Sequence, residues 1–211
     1  MEAADAAELI AEIKEDRADA AANERFNNTA ALIIAIIAAL LAIGSLGGGN
    51  VAEDMVHNNI KASDTWAFYQ AKNVRQTAYR LALDDLETQL AAGALAPETR
   101  KSLEEKSARY RETIARYDDE PDPSAPGDSM RGEGKKQLSV QARSYEAARE
   151  RAESQDANFD YSEVAFQLAL VLGSVAILAH SKKLLVGTVG LGIVGFVLLV
   201  NGFLLLFPLP F

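Results

Sequence analysis

The sequence predicts an all-α membrane protein with three transmembrane helices and an extramembrane helical hairpin or coiled-coil stalk. Residues 29–49, 164–181 and 184–211 contain no Asp, Glu, Lys or Arg, although 24% of the 211 residues are charged. Apolar runs of about 18 residues or more are long enough to cross the hydrocarbon core of a bilayer. The charged segments between them are rich in helix-forming residues. This uneven distribution excludes a single soluble globule.

The chain begins with an acidic N-terminal helix or tail over residues 1–28, followed by a first transmembrane helix over residues 29–46. Eight acidic and three basic side chains in residues 1–28 favour a solvated helix or a partly ordered tail, with a partner-binding helix as the alternative. The acidic stretch disfavours a cleaved signal peptide. Gly47-Gly48-Gly49 predicts the end of the first span, and Asn50 predicts the N-cap of the next helix.

The extramembrane stalk is predicted over residues 51–160. Its first helix covers residues 51–92, which contain neither Gly nor Pro. Positions 67, 74 and 81, with 71 and 78 between them, follow the heptad spacing of a coiled coil. The stripe is short, so a helical hairpin and a coiled coil both remain open.

Two returning helices complete the stalk, over residues 97–118 and 137–160, with a Pro/Gly-rich loop over residues 119–136. Pro97 suits the first turn of its helix. At 1.5 Å per residue the outgoing helix measures about 63 Å and the two returning helices together about 69 Å. We therefore expect both returning helices to pack along the outgoing one.

The last two transmembrane helices are predicted over residues 161–179 and 184–207. Their connection is only four residues long, which favours an antiparallel pair. Small residues and one amide on these helices are candidate helix-packing positions. They are Ala165, Ala169 and Gly173 on the second span and Gly187, Gly195, Asn201 and Gly202 on the third.

The distribution of basic residues predicts the orientation. Lys14, Arg17 and Arg25 precede the first span, and Lys182 and Lys183 occupy the last short loop. The positive-inside rule places these residues in the cytoplasm. The N-terminus is then cytoplasmic, and the stalk lies outside the cytoplasm.

One segment is more specific than composition. Residues 59–75 read Asn-Ile-Lys-Ala-Ser-Asp-Thr-Trp-Ala-Phe-Tyr-Gln-Ala-Lys-Asn-Val-Arg. This segment resembles the signature of a bacterial membrane family, domain of unknown function 4337. The likeness extends to the layout, with an acidic start, a Gly-rich exit from the first span and a paired-helix end. The resemblance implies a multi-pass protein of the bacterial inner membrane and carries no established activity.

The same segment supplies the candidate interaction residues Trp66, Phe68, Tyr69, Lys72 and Arg75. They are interpreted either as a packing cluster between the outgoing and returning helices or as a protein–protein hot spot, because Trp, Tyr and Arg dominate such sites. Base stacking by aromatic and basic residues is disfavoured by the acidic surroundings.

Composition also limits the chemistry. The chain has no Cys and a net charge of −9, which excludes thiolate sites and disfavours nucleic acid as a partner. Gly190, Gly192 and Gly195 match the dinucleotide pattern, but they lie inside an apolar run and indicate helix packing. We find no catalytic constellation and expect no cofactor or metal.

The leading hypothesis is therefore a non-enzymatic membrane scaffold or interaction module. It self-associates through its stalk, as a homo-oligomer, or binds another membrane protein. The alternative is a subunit of an oligomeric channel or transporter that uses Gln167 and Asn201, the amides of the last two spans.

Overall fold

The computed structural model describes residues 2–209, with the side chains of residues 2–7 and 10–12 left undescribed. These residues form four helices and no β-strand. The helices are α1 (Glu2–Ala91), α2 (Pro97–Asp118), α3 (Lys135–Leu178) and α4 (Lys182–Leu204). The chain divides into two compact units. The bundle unit contains residues up to 53 and from 152 onward, and the polar unit contains residues 54–151.

The predicted break after the first apolar run is wrong. The structure has one helix, α1, from Glu2 to Ala91, with residues 47–50 inside it. Asn50 is therefore not an N-cap. Three glycines weaken a helix in isolation, but tertiary packing overrides that preference: Gly47 and Gly48 lie against the ring and Cβ of Phe159. The acidic residues 2–28 belong to the same helix.

Three helices contain a segment long and apolar enough to cross a membrane, namely α1, α3 and α4. In the bundle unit, α1, α3 and α4 pack around a core of Ile37, Phe159, Phe166, Ala169 and Leu199. The connection between α3 and α4 is short, as the sequence predicts, and covers residues 179–181. Ser181 caps α4, because its hydroxyl accepts a hydrogen bond from the Leu184 N–H at 3.5 Å.

The end of α4 differs from the prediction. The helix ends at Leu204 and not at residue 207. Leu205 adopts a left-handed conformation with φ of 49°, and its N–H donates to the Asn201 carbonyl. The chain leaves the helix here because the Asn201 side chain binds both backbone groups of Phe207, as described below.

In the polar unit, α1 pairs with α2 and with the first part of α3. Tyr79 of α1 stacks edge-on against Tyr110 of α2 at 5.1 Å between ring centroids. Trp66 of α1 donates to Glu146 of α3 at 2.8 Å. Within the polar unit, α1 therefore contacts α3 near Trp66 and α2 near Tyr79.

The Pro/Gly loop of the polar unit is ordered. It folds back on itself through an antiparallel bridge between Pro121 and Gly132. Gly132 has φ of +128°, and a Cβ there would lie 2.9 Å from Pro121 Cα. Only glycine fits this position. Helix α3 begins at Lys135, two residues before the predicted start.

Candidate functional site

Close helix approach in the bundle unit depends on glycines that face bulky side chains. A Cβ added at Gly195 of α4 would lie 2.7 Å from the Phe166 ring of α3, and one at Gly202 would lie 3.0 Å from the Phe159 ring. A Cβ at Gly173 of α3 would lie 2.9 Å from Ile34 of α1. Small residues therefore let all three helices meet closely.

The remaining predicted packing residues also lie at or near these contacts. Ala165 and Ala169 are buried, and Gly187 of α4 is within reach of Leu172 of α3. The sequence did not identify Gly44 and Gly47 of α1 as packing residues, although they lie against α4 and α3 side chains.

A buried polar cluster joins α3 and α4 near the end of α4. Asn201 Nδ2 donates to Asn158 Oδ1 at 2.7 Å and to the Phe207 carbonyl at 2.9 Å. Asn201 Oδ1 accepts from the Phe207 N–H at 3.1 Å. Ser162 donates to the Gly195 carbonyl at 2.9 Å, and Gln155 donates to the Gly202 carbonyl at 3.0 Å.

The hydrogen bonds of Asn201 use both N–H donors and the carbonyl oxygen of its amide. The residue is fully buried. Gln167 lies elsewhere, on an exposed face of α3, where it donates to Glu163 at 3.2 Å. The two amides of the channel hypothesis therefore do not come together within the bundle unit.

In the polar unit, a buried lysine connects α1 to the loop. Lys72 is only 4% exposed. Its ammonium lies 3.2 Å from Glu120 and 3.5 Å from Glu133. It also lies over the rings of Phe68 and Tyr117, at 5.1 Å and 5.9 Å from the centroids. Carboxylates and aromatic faces together compensate the burial of the cation.

The structure separates the five candidate interaction residues into two groups. Trp66, Tyr69 and Lys72 point toward α3 and the loop, and Trp66 and Tyr69 stack edge-on at 5.4 Å. The prediction that Lys72 is an interaction residue is wrong, because its buried ammonium is not accessible to a partner protein. Phe68, 40% exposed, and Arg75 remain at the surface.

The predicted heptad stripe of α1 is exposed in the polar unit. Val74 is 68% exposed and Leu81 is 65% exposed. The stripe as a whole occupies positions a and d of a heptad repeat. Its members, all apolar and exposed, are Ala67, Ala71, Val74, Ala78 and Leu81. Ile60, one heptad before Ala67, is exposed as well, and Asp64 occupies the position between them. The side chains that α1 buries, which include Ala62, Gln76 and Leu86, occupy positions b and f on the opposite face.

Charged groups at the base of the loop hold it to α3. The Asp119 carboxylate accepts from Gln137 at 2.7 Å and from Lys136 at 2.9 Å. These two hydrogen bonds, that of Gln137 first, lower the pKa of Asp119 below its ordinary 3.8. Hydrogen bonds from Ser124, with Arg131 nearby, lower the pKa of Asp122 in the same direction.

We expect the loop to loosen on acidification. A carboxylate with a lowered folded-state pKa stabilises the fold above its unfolded pKa, and this contribution is lost as pH falls through the folded-state value. Amide hydrogen exchange of residues 119–134, corrected for intrinsic rates, should therefore accelerate below pH 3.8. Asp119→Asn should accelerate exchange already at neutral pH, whereas Asp85→Asn on α1 should leave it unchanged. Equal protection of the loop at neutral and acidic pH would contradict this assignment.

Among the residues that the structure describes, no group of three or more His, Cys, Asp or Glu side chains is placed to hold a metal ion.

The part of the chain that the structure describes is therefore helical, and three of its helices are candidate membrane spans. The chain belongs to the family described as Domain of unknown function (DUF4337), whose family model matches residues 26–205. The match includes all three apolar segments and the polar unit between them. No curated protein and no solved structure matches the chain.

Proposed function

We propose that the protein is a non-enzymatic integral membrane protein of the bacterial inner membrane. Its bundle unit anchors a helical interaction module, the polar unit, through which two copies of the chain associate. The observation that carries this proposal is the exposed heptad stripe on α1. The absence of Cys and of catalytic motifs from the sequence supports the non-enzymatic part.

The stripe has the properties of a helix–helix interface. From Ala67 to Leu81 it extends over two heptads, about 22 Å of helix. Its apolar residues are separated by alternating steps of four and three, and three of them are alanines, which permit close approach of a second helix. A contiguous exposed apolar surface of this kind marks an interaction site.

A second copy of the chain is the occupant that fits best. A heptad stripe on one helix is complementary to the same stripe on another, and two-fold pairing of identical surfaces is the commonest oligomeric arrangement. Copies inserted in one membrane with one orientation bring their α1 helices together in parallel. Phe68 and Arg75, which follow Ala67 and Val74 in sequence, would border this interface.

Cysteine crosslinking tests the proposal, because the chain has no native Cys. In purified full-length protein, Val74→Cys should form a disulfide-linked dimer, since residue 74 of each parallel helix faces its own copy. Val140→Cys is the matched control: Val140 is also exposed in the polar unit, at 38%, but lies on α3. Crosslinking at residue 140 and not at residue 74 would overturn the proposed interface.

A charged substitution supplies a second measurement. Val74→Asp should raise the dimer dissociation constant at least tenfold, roughly, because a carboxylate would be buried without a partner. Val140→Asp should leave it unchanged. Light scattering of the detergent-solubilised protein measures both. A protein that remains monomeric, or a dimer insensitive to Val74→Asp, would contradict the proposal.

The orientation is part of the proposal. We place the N-terminus and the connection between α3 and α4 in the cytoplasm, because basic residues precede the first apolar segment and Lys182 and Lys183 begin α4. Reporter fusions at the N-terminus and within residues 119–134 would measure the side of each segment.

For the alternative function, a channel or transporter subunit, the positions of the two membrane-segment amides in one chain give no support. Asn201 already has three hydrogen bonds, and Gln167 lies on an outer face of α3.

A further inference from the structure

A groove between α1 and α4 runs along the surface of the bundle unit, from a basic end to an apolar end. Its first cavity, of about 500 Å³, is lined by Arg25, Lys182 and mainly apolar side chains. Its second cavity, of about 330 Å³, is lined by apolar side chains and one glycine. Ile33 and Val189 line both cavities, so the two are neighbours along the groove.

The basic end is built for an anion. Arg25 and Lys182 are both exposed, and none of the Asp and Glu side chains that the structure describes lines this cavity. A guanidinium and an ammonium both donate strong charge-assisted hydrogen bonds to phosphate oxygens. Basic pockets between transmembrane helices are typical sites for anionic lipid head groups. Arg25 and Lys182 lie far apart in the sequence, so no basic cluster is visible there. The fold brings both residues to the lining of one cavity.

The apolar end fits an acyl chain. From Thr29 to Leu40 the groove follows 12 residues of α1, whose ends are about 16 Å apart along the helix axis. One leaflet of the hydrocarbon core is about 15 Å thick. The apolar part of the groove therefore matches the depth that one acyl chain occupies when its phosphate lies at the membrane surface.

We infer that this groove binds one anionic glycerophospholipid. The phosphate lies between Arg25 and Lys182, and one acyl chain passes Ile33 and Val189 toward Gly192. The inference rests on the membrane insertion that the proposed function includes. It does not depend on the dimer interface, which belongs to the polar unit.

Competitive lipid binding tests the inference on the full-length protein. The protein is reconstituted into nanodiscs with equal amounts of phosphatidylglycerol and phosphatidylcholine, released, and examined by native mass spectrometry for retained lipid. The wild type should retain phosphatidylglycerol in preference. The double variant Arg25→Gln/Lys182→Gln should lower that preference about tenfold, because each basic residue contributes separately to binding an anionic lipid.

A matched control removes the same charge elsewhere. Arg17→Gln/Lys183→Gln changes two neighbouring basic residues that do not line the groove, and it should keep the wild-type preference. Val189→Trp, which fills the junction of the two cavities, should reduce retention of the lipid without removing any charge. Val189 is 37% exposed, so the larger side chain can be accommodated without unfolding the bundle.

Three results of the lipid-binding assay would overturn the inference. They are an equal loss of preference in both double variants, no preference in the wild type, and displacement of the lipid by soluble glycerol phosphate, which has no acyl chain.

A disulfide between two copies at Ile193→Cys would assign the groove to a second copy. Failure of the Val74→Cys crosslink would leave lipid retention unaffected, so the two proposals fail separately. Extraction of the protein without detergent would refute the membrane insertion common to both.

Discussion

Gly47→Leu is expected to lower the free energy of unfolding of the bundle unit by about 3 kcal/mol, the upper part of the usual range for overpacking a core. A Cβ at residue 47 would lie 2.8 Å from the Phe159 ring and 3.2 Å from the Phe203 ring. Phe159 is only 2% exposed, so its ring has little room to move. The remaining leucine atoms would push α1 away from α3 and α4.

The neighbouring Gly49 supplies a matched control. A Cβ at residue 49 meets nothing within 4 Å. Gly49→Leu should therefore stabilise the protein slightly, since glycine costs a helix up to about 1 kcal/mol relative to good helix formers. Titration of the detergent-solubilised protein with SDS, followed by circular dichroism, measures both variants. Similar effects at residues 47 and 49 would show that the glycines act as a flexible break and not as a packing surface.

The glycine run illustrates where sequence reasoning fails in this protein. Three consecutive glycines are a strong local signal for the end of a helix, and Asn50 after them adds a plausible cap. Whether such glycines break a helix depends on what approaches them. Phe159 lies more than a hundred residues away in sequence, and no local pattern reveals that its ring packs against residues 47 and 48.

Signals that depend on composition were more successful. The charge-free runs identify the three apolar segments directly, because a long stretch without any charged side chain is rare outside membrane helices. Pro97 likewise marks a helix start that the structure contains. These features need no knowledge of distant residues.

The face of α1 that packs could not be read from its sequence. The apolar heptad positions, such as Val74 and Leu81, are the obvious candidates for the internal contact. The structure buries the opposite face, where Lys72 and Gln76 find partners that the sequence does not connect to them. Gln76 donates to the Ile114 carbonyl at 2.8 Å, and Lys72 pairs with loop carboxylates. Polar side chains can fill a buried face when their partners are present.

Asn201→Leu should cost about 3 kcal/mol of bundle stability, because one buried and two partly buried polar groups lose their partner at once. Asn158 Oδ1 loses its 2.7 Å donor, and both backbone groups of Phe207 lose the amide that holds them. A buried polar group left unsatisfied costs about 1–3 kcal/mol. SDS titration of the variant measures the loss.

The double variant Asn158→Leu/Asn201→Leu distinguishes the contribution of the Asn158–Asn201 hydrogen bond from that of the Asn201–Phe207 hydrogen bonds. If the pair is coupled, the double variant should cost less than the sum of the two single variants, because no unpaired amide remains on either helix. Gln167→Leu is the control: it removes an exposed amide and should leave stability within about 0.5 kcal/mol of the wild type. Strictly additive single effects, or a fold that tolerates Asn201→Leu without loss, would contradict this structural role. An unchanged fold with altered ion flux would instead favour the channel alternative, because Asn201 would then act in conduction and not in packing.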